Sequence, residues 1–143
     1  MKHIIATILA AITLVSAATS TAQEVTGEAN LLGTAWLAED IGGRGVIDRA
    51  RSTLEFPKTG QVAGLAACNR YFGPVSLTSN TIAIGNLAST RKMCPESLMD
   101  QEQRFMAALS KARRLELTHE GQVLLIYANN PTPTLRLSRI LQK

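Results

Sequence analysis

Ala67-Cys68-Asn69-Arg70-Tyr71-Phe72-Gly73 and Ser89-Thr90-Arg91-Lys92-Met93-Cys94-Pro95 are the two stretches on which the reading of this chain turns. They hold both of its cysteines and lead into its one strongly amphipathic segment. If the cysteines pair, the middle of a strand-rich region is tied to the first turn of a helix.

Outward from Cys94, the helix comes first. Pro95 suits an early helical position, where its missing N–H has no intrahelical partner to lose. Glu96 places negative charge at the positive end of the helix dipole. Leu98, Met99, Phe105, Met106, Leu109 and Ala112 recur at helical spacing and form one apolar stripe. Asp100, Gln101, Gln103, Arg104, Ser110 and Lys111 fall mostly on the polar side. Lys111, Arg113 and Arg114 crowd the C-terminal end, where cations complement the dipole. The Met and Phe side chains on the stripe read as core.

Outward from Cys68, the pattern is one of short strands. Residues 52–56 alternate, with Leu54 and Phe56 on one face; Pro57-Lys58-Thr59-Gly60 has turn chemistry, and residues 61–65 return. Val75-Ser76-Leu77 and residues 81–84 make a second hairpin about Thr78-Ser79-Asn80. Beyond the helix, residues 115–118 turn at His119-Glu120-Gly121-Gln122 into residues 123–128, and residues 134–139 alternate apolar and polar. Upstream, residues 31–37 read as a first strand anchored by Trp36. Gly42-Gly43-Arg44-Gly45 reads as a flexible loop. It lacks the strand before and helix after that a phosphate cradle requires. Short strands with one inserted helix and no βαβ repeat describe a mainly β (α+β) fold. The expected architecture is a small antiparallel β-barrel, a meander with one amphipathic helix packed on it.

The N-terminus bears on compartment. Met1-Lys2-His3, the uncharged apolar run of residues 4–18 and the small residues 19–22 follow the order of a secretory signal peptide, with cleavage expected after Ala22. The apolar run, about 15 residues, is short for a bilayer span, which needs roughly 20. No cysteine follows the cleavage point to carry a lipid, so a soluble periplasmic or secreted protein is expected, with no transmembrane segment in the mature chain. Residues 23–30 lack periodicity and are expected to form a disordered arm, leaving 31–143 as one domain. Two cysteines in an exported chain read as one disulfide between Cys68 and Cys94. Closing that loop would stabilise the fold by roughly 3.5 kcal/mol in the chain-entropy model.

Charge and residue inventory narrow the chemistry. The formal net charge of +4 is spread along the chain without a basic stripe of stacking aromatics, which argues against nucleic acid as a partner. His119 is the one histidine beyond the leader, and two sulfurs do not fill a zinc shell, so neither metal nor cofactor is expected. Nucleophilic catalysis needs a base within hydrogen-bond reach of its nucleophile. His119 falls in an expected turn, and Asp100 and Glu102, two apart on a helix, diverge. The expectation is a protein that is not an enzyme.

Residues 52–56, then Gly60-Gln61-Val62-Ala63-Gly64, then Cys68-Asn69-Arg70-Tyr71-Phe72-Gly73 resemble, in that order, the META domain, the family of the heat-shock protein HslJ. Residues 87–95 followed by Leu98-Met99-Asp100-Gln101-Glu102 are similar to its second block. The resemblance spans about residues 31–139. It implies a small antiparallel barrel, lipocalin-like in topology, carrying one helix. Two positions depart from the pattern: Ala67 stands where glycine is usual before the cysteine, and Val75 where tyrosine is common. Family members are linked to heat-shock and antibiotic-stress responses, which implies an envelope-stress or antibiotic-tolerance role.

A Cys68–Cys94 bridge would gather Asn69, Arg70, Tyr71 and Arg91 into a candidate binding patch at one barrel end. Arg70 and Arg91 would then stand ready to receive a carboxylate or phosphate. The plainer assignment has Asn69 capping a turn and the arginines bonding nearby carbonyls. Two function classes follow. One is a non-catalytic binding or envelope-maintenance module that holds a small molecule, peptide, lipid or envelope protein. The other is an inhibitor or interaction module that presents a loop to a partner enzyme. A deep apolar cavity would favour the first, and an exposed rigid loop on a filled barrel the second. A chain of this size is expected to fill its barrel with its own side chains, and to be a monomer.

Overall fold

Alternating burial along successive strands is what closes this chain on itself. The computed structural model describes residues 28–141. The expected signal peptide and residues 23–27 of the expected arm lie outside the described residues. In β1 (Ala35–Ile41), β3 (Thr53–Lys58), β4 (Gln61–Leu65) and β5 (Arg70–Thr78), the inward side chains include Trp36, Leu54, Phe56, Val62, Tyr71 and Val75. The same period-two pattern continues in β6 (Thr81–Ile84), β8 (Arg114–Thr118) and β10 (Leu135–Arg139), whereas β9 (Val123–Tyr127) is buried at every position but the half-buried Leu125. Each strand has one face to bury, and the curled sheet gives all of them the same interior.

The strand path runs β10-β9-β8-β6-β5-β4-β3-β1, every pairing antiparallel, and β1 then pairs back with β10. That makes a closed barrel of 8 strands. Closure removes the exposed edges that an open sheet would present. Two short strands ride on it: β2 (Arg44–Gly45) on β1 and β7 (Ala88–Ser89) on β5. The β3–β4 approach depends on one missing side chain. A Cβ at Gly64 would collide with the Thr53 carbonyl, the same carbonyl that accepts the Tyr71 hydroxyl at 2.7 Å.

Helix α2 (Glu96–Ser110) lies across one end of the barrel. The Pro95 carbonyl accepts the N–H groups of Leu98 and Met99 at 3.0 and 3.2 Å, which starts the helix. At its other end, Arg113 Nη1 donates to the Ala112 carbonyl at 2.7 Å. Phe105 and Leu109 are buried in the core, and the Phe105 ring meets Tyr71 edge-on with centroids 6.0 Å apart. Helix α1 (Glu28–Leu31) sits toward the opposite end, where Leu31 is buried.

Several expectations shift. Residues 28–30, expected in a disordered arm, form a helical turn with Leu31, because Leu31 finds a place in the core. The Leu31 carbonyl accepts both the N–H and the hydroxyl of Thr34, and Thr34 Oγ1 accepts Trp36 Nε1 at 2.7 Å. The first strand therefore starts at Ala35 and not at Leu31. Gly42-Gly43, expected in a flexible loop, is the turn of a tight β1–β2 hairpin, with φ of 66° and 78° and Gly43 N–H donating to Asp40 Oδ1. The strand expected at Val75-Ser76-Leu77 begins earlier, at Arg70, and runs through Gly73-Pro74, because proline's φ suits an extended strand and the Pro74 carbonyl accepts Gly85 N–H.

The helix also differs in detail. Leu98, Met99 and Met106 are half-buried, while Gln101, expected mostly among the polar-side residues, is fully buried. It stands four residues before Phe105 and eight before Leu109, on the same row, and so faces inward. Its amide bridges the segment over the barrel end: Oε1 accepts Ile47 N–H at 2.8 Å, and Nε2 donates to the Ala50 carbonyl and Ser52 Oγ.

Candidate functional site

The disulfide joins Cys68, just before β5, to Cys94, just before α2, with Cα atoms 6.1 Å apart across a sequence separation of 26. Around it, Asn69 works as a hub. Asn69 Oδ1 accepts Thr90 Oγ1 at 2.8 Å and Lys92 N–H at 2.7 Å; Nδ2 donates to the Lys92 carbonyl and to Glu102 Oε1. Its backbone N–H donates to Glu102 Oε2 at 2.6 Å. Every polar atom of the side chain is satisfied, and the residue is 2% exposed. The plainer assignment of Asn69 is thus the one the structure displays: it holds backbone.

Ala67, immediately before, has φ of 92°. That region is open to glycine and strained for a side chain. The chain bends there so that Ala67 N–H meets the Arg51 carbonyl and Ala66 N–H meets the Asn69 carbonyl. The bend aims the Cys68 and Asn69 N–H groups together at Glu102 Oε2.

The four residues expected to form a patch divide in two. Asn69 and Tyr71 are buried. Tyr71 points into the barrel, where burial first and the Glu55 charge second push its phenol well above its ordinary pKa. Arg70 and Arg91 are exposed, and neither guanidinium makes an ion pair or hydrogen bond among the described residues. Thr90 N–H donates to the Arg70 carbonyl at 3.0 Å, which sets Arg91 beside that strand.

What the sequence did not single out is the loop's apex. Thr90, Lys92 and Cys94 are tied down, while Met93 between them is 91% exposed. Phe72, on the outer face of β5, is 56% exposed. Glu102, the carboxylate on which the clamp depends, was also missed. Its only advance signal is an acid one position past the buried row of the helix.

Elsewhere the surface offers open grooves outside the barrel. One of about 570 Å³ runs beside α2 between Ser89, Met99 and Met106. Another of about 260 Å³ lies between Ile41, Arg44, Ala107 and Lys111. His119 is exposed in the β8–β9 turn at φ of 51°, and its ring makes no hydrogen bond among the described residues. Among the described residues, no group of three or more His, Cys, Asp or Glu side chains could hold a metal ion, and no helix is long and apolar enough to cross a membrane.

Comparison with known proteins agrees with this architecture. An NMR structure of a protein from Burkholderia xenovorans is 22% identical, aligns over 99% of both chains and gives a TM-score of 0.69. A second NMR structure, also 22% identical, covers 78% of this chain and 92% of its own, with a TM-score of 0.62. At such identity the likeness concerns the fold alone. No curated protein matches the chain. Residues 29–139 match the family model of the META domain, and the chain belongs to the META domain family.

Proposed function

We propose that the protein is an exported, non-catalytic interaction module that acts by presenting the 90–95 loop on a filled barrel. The observation that carries this is Met93, 91% exposed at the apex of a loop whose flanks are fixed by the Cys68–Cys94 bridge and by Asn69. A large apolar side chain held in water on a rigid mount gains from a burial that the solitary domain does not provide. A partner surface provides it, and a pre-ordered loop loses little conformational freedom on binding.

A ligand carried inside is the less favoured reading. The interior is occupied by Trp36, Leu54, Tyr71, Phe105, Leu124 and Leu135, all buried in one cluster. The disulfide supports an oxidising compartment and with it export after Ala22. An envelope-stress role, drawn from the HslJ resemblance, belongs to the same reading.

A photo-crosslinking amino acid placed at Met93, with Lys111 as control position, tests it in cells. A specific adduct from position 93 and none from 111 supports loop presentation; equal labelling removes it. Intact mass of the recovered protein tests export: a chain starting at Gln23 is expected.

A further inference from the structure

Four cations stand on the hydrogen-bonded segments around the bridge. The Arg51 carbonyl accepts Ala67 N–H at 3.1 Å, and the Arg70 carbonyl accepts Thr90 N–H at 3.0 Å. Arg91 and Lys92 lie in the loop itself. All four side chains are exposed, and none makes an ion pair or side-chain hydrogen bond among the described residues. Glu102 accepts the N–H groups of Cys68 and Asn69 and makes no ion pair with these cations among the described residues. Glu96, Asp100 and Glu102 line a groove with Ser89 on the α2 side of the loop, and Asp100 is paired with Arg104.

Two large apolar side chains are exposed close to these charges in the chain. Phe72 follows Arg70 by two residues on β5 and so shares its outer face, and Met93 follows Lys92 at the apex. Leu32 and Leu141 are the other large apolar residues exposed among the described residues.

We propose that this basic end of the barrel, tipped by Met93, docks on an anionic lipid bilayer, with Met93 entering the headgroup boundary and Arg51, Arg70, Arg91 and Lys92 meeting lipid phosphates. The proposal rests on loop presentation as the mode of action and names what the loop meets. Charge complementarity favours an anionic surface. Shape favours a lipid one: a protein partner commits about 800 Å² of matched surface on each side, whereas a single protruding methionine is a convex point that a fluid headgroup layer can close around. Basic residues near an anionic leaflet and apolar residues at the acyl boundary are the two contributions that hold a peripheral protein there.

The test is co-sedimentation of the protein, as recovered from cells, with vesicles of phosphatidylcholine alone and of phosphatidylcholine with phosphatidylglycerol. Partition onto the anionic vesicles is expected, weakening as salt is raised, with little onto the neutral ones. Each basic residue near the surface contributes roughly fivefold in partition, so Arg91→Glu with Lys92→Glu should lower it at least roughly twentyfold. Met93→Ser should lower it as well, and Lys111→Glu should leave it unchanged. Arg51→Glu repeats the charge test outside the loop, and circular dichroism confirms that each variant is folded. Absence of partition, or equal partition onto neutral vesicles, overturns the lipid proposal. If a protein adduct at position 93 persists in that case, the partner is a protein and loop presentation stands. Partition that survives every loop substitution overturns both.

Discussion

Glu102 on α2 and Asn69 at the start of β5 meet through two hydrogen bonds, the Asn69 backbone N–H on Oε2 at 2.6 Å and Asn69 Nδ2 on Oε1 at 2.9 Å. The pair forms a non-covalent cross-link parallel to the disulfide. Glu102→Ala would strand the Cys68 and Asn69 N–H groups, and should cost about 3 kcal/mol, since hydrogen bonds to charged groups are worth about 1.5–3. A double-mutant cycle with Asn69→Ala should show a coupling of about 1–3 kcal/mol. Urea unfolding of the four proteins measures it; additive effects would mean the two residues act separately.

The disulfide closes a loop with a sequence separation of 26, for which chain entropy predicts roughly 3.5 kcal/mol of stabilisation. Reduction should lower the thermal midpoint, and Cys68→Ala should do the same and become insensitive to reductant. Thiol counting on the unfolded, non-reduced protein should find no free thiol.

Ala67 sits at φ of 92°, a conformation that costs a side chain more than it costs glycine. Ala67→Gly gives back that strain against a larger unfolded-state entropy. The net expectation is stabilisation by about 0.5–1 kcal/mol, read as a rise in the denaturant midpoint at constant slope. A fall would show that the bend is held without strain.

The helix row of Gln101, Phe105 and Leu109 is buried. Leu109→Ala should cost about 2–5 kcal/mol through the cavity it opens. Gln101→Leu keeps the volume but leaves Ile47 N–H and Ser52 Oγ without their partner, and should cost about 1–3 kcal/mol. Lys111→Ala, exposed at the helix end, should change stability little. Chemical denaturation of the three variants ranks them; equal small effects would contradict the packing described.

Burial, then the Glu55 charge, hold the Tyr71 phenol protonated well above its ordinary range near 10. Tyr127 shifts the same way, through burial and then its bond to Glu116, with Arg114 opposing. A raised folded pKa gives stability that is complete below pH about 10 and is lost above it, because the unfolded chain ionises and the folded one resists. Unfolding midpoints should therefore hold up to about pH 10 and fall progressively above it. Tyr71→Phe should start lower by about 1–2 kcal/mol, from loss of the bond to the Thr53 carbonyl, yet decline less steeply with pH. Parallel declines would exclude Tyr71 as the cause.

The sequence by itself determined the fold class, the main strands, the long helix and the pairing of the cysteines, but not helix α1 or the β1–β2 hairpin. Period-two alternation at Leu54 and Phe56, Ile82 and Ile84, or Leu135 and Leu137 is a local property that the sheet only has to accept. The helical spacing of Phe105, Leu109 and Ala112 is local in the same sense. What the tertiary structure decided is where polar groups go. Gln101 and Glu102 are adjacent in sequence, yet one is buried against the 47–52 segment and the other is bound to the Cys68 and Asn69 N–H groups. Those partners lie 33 to 54 residues away, and no pattern along the chain announces them. Asn69 and Tyr71 likewise read as surface groups beside Arg70. Strand alternation turns Tyr71 inward, and Asn69 is consumed by Thr90, Lys92 and Glu102. The exposed remainder, Arg70, Arg91, Phe72 and Met93, is what the clamp leaves outside, because burial is shared out among side chains only when distant segments compete for the same interior.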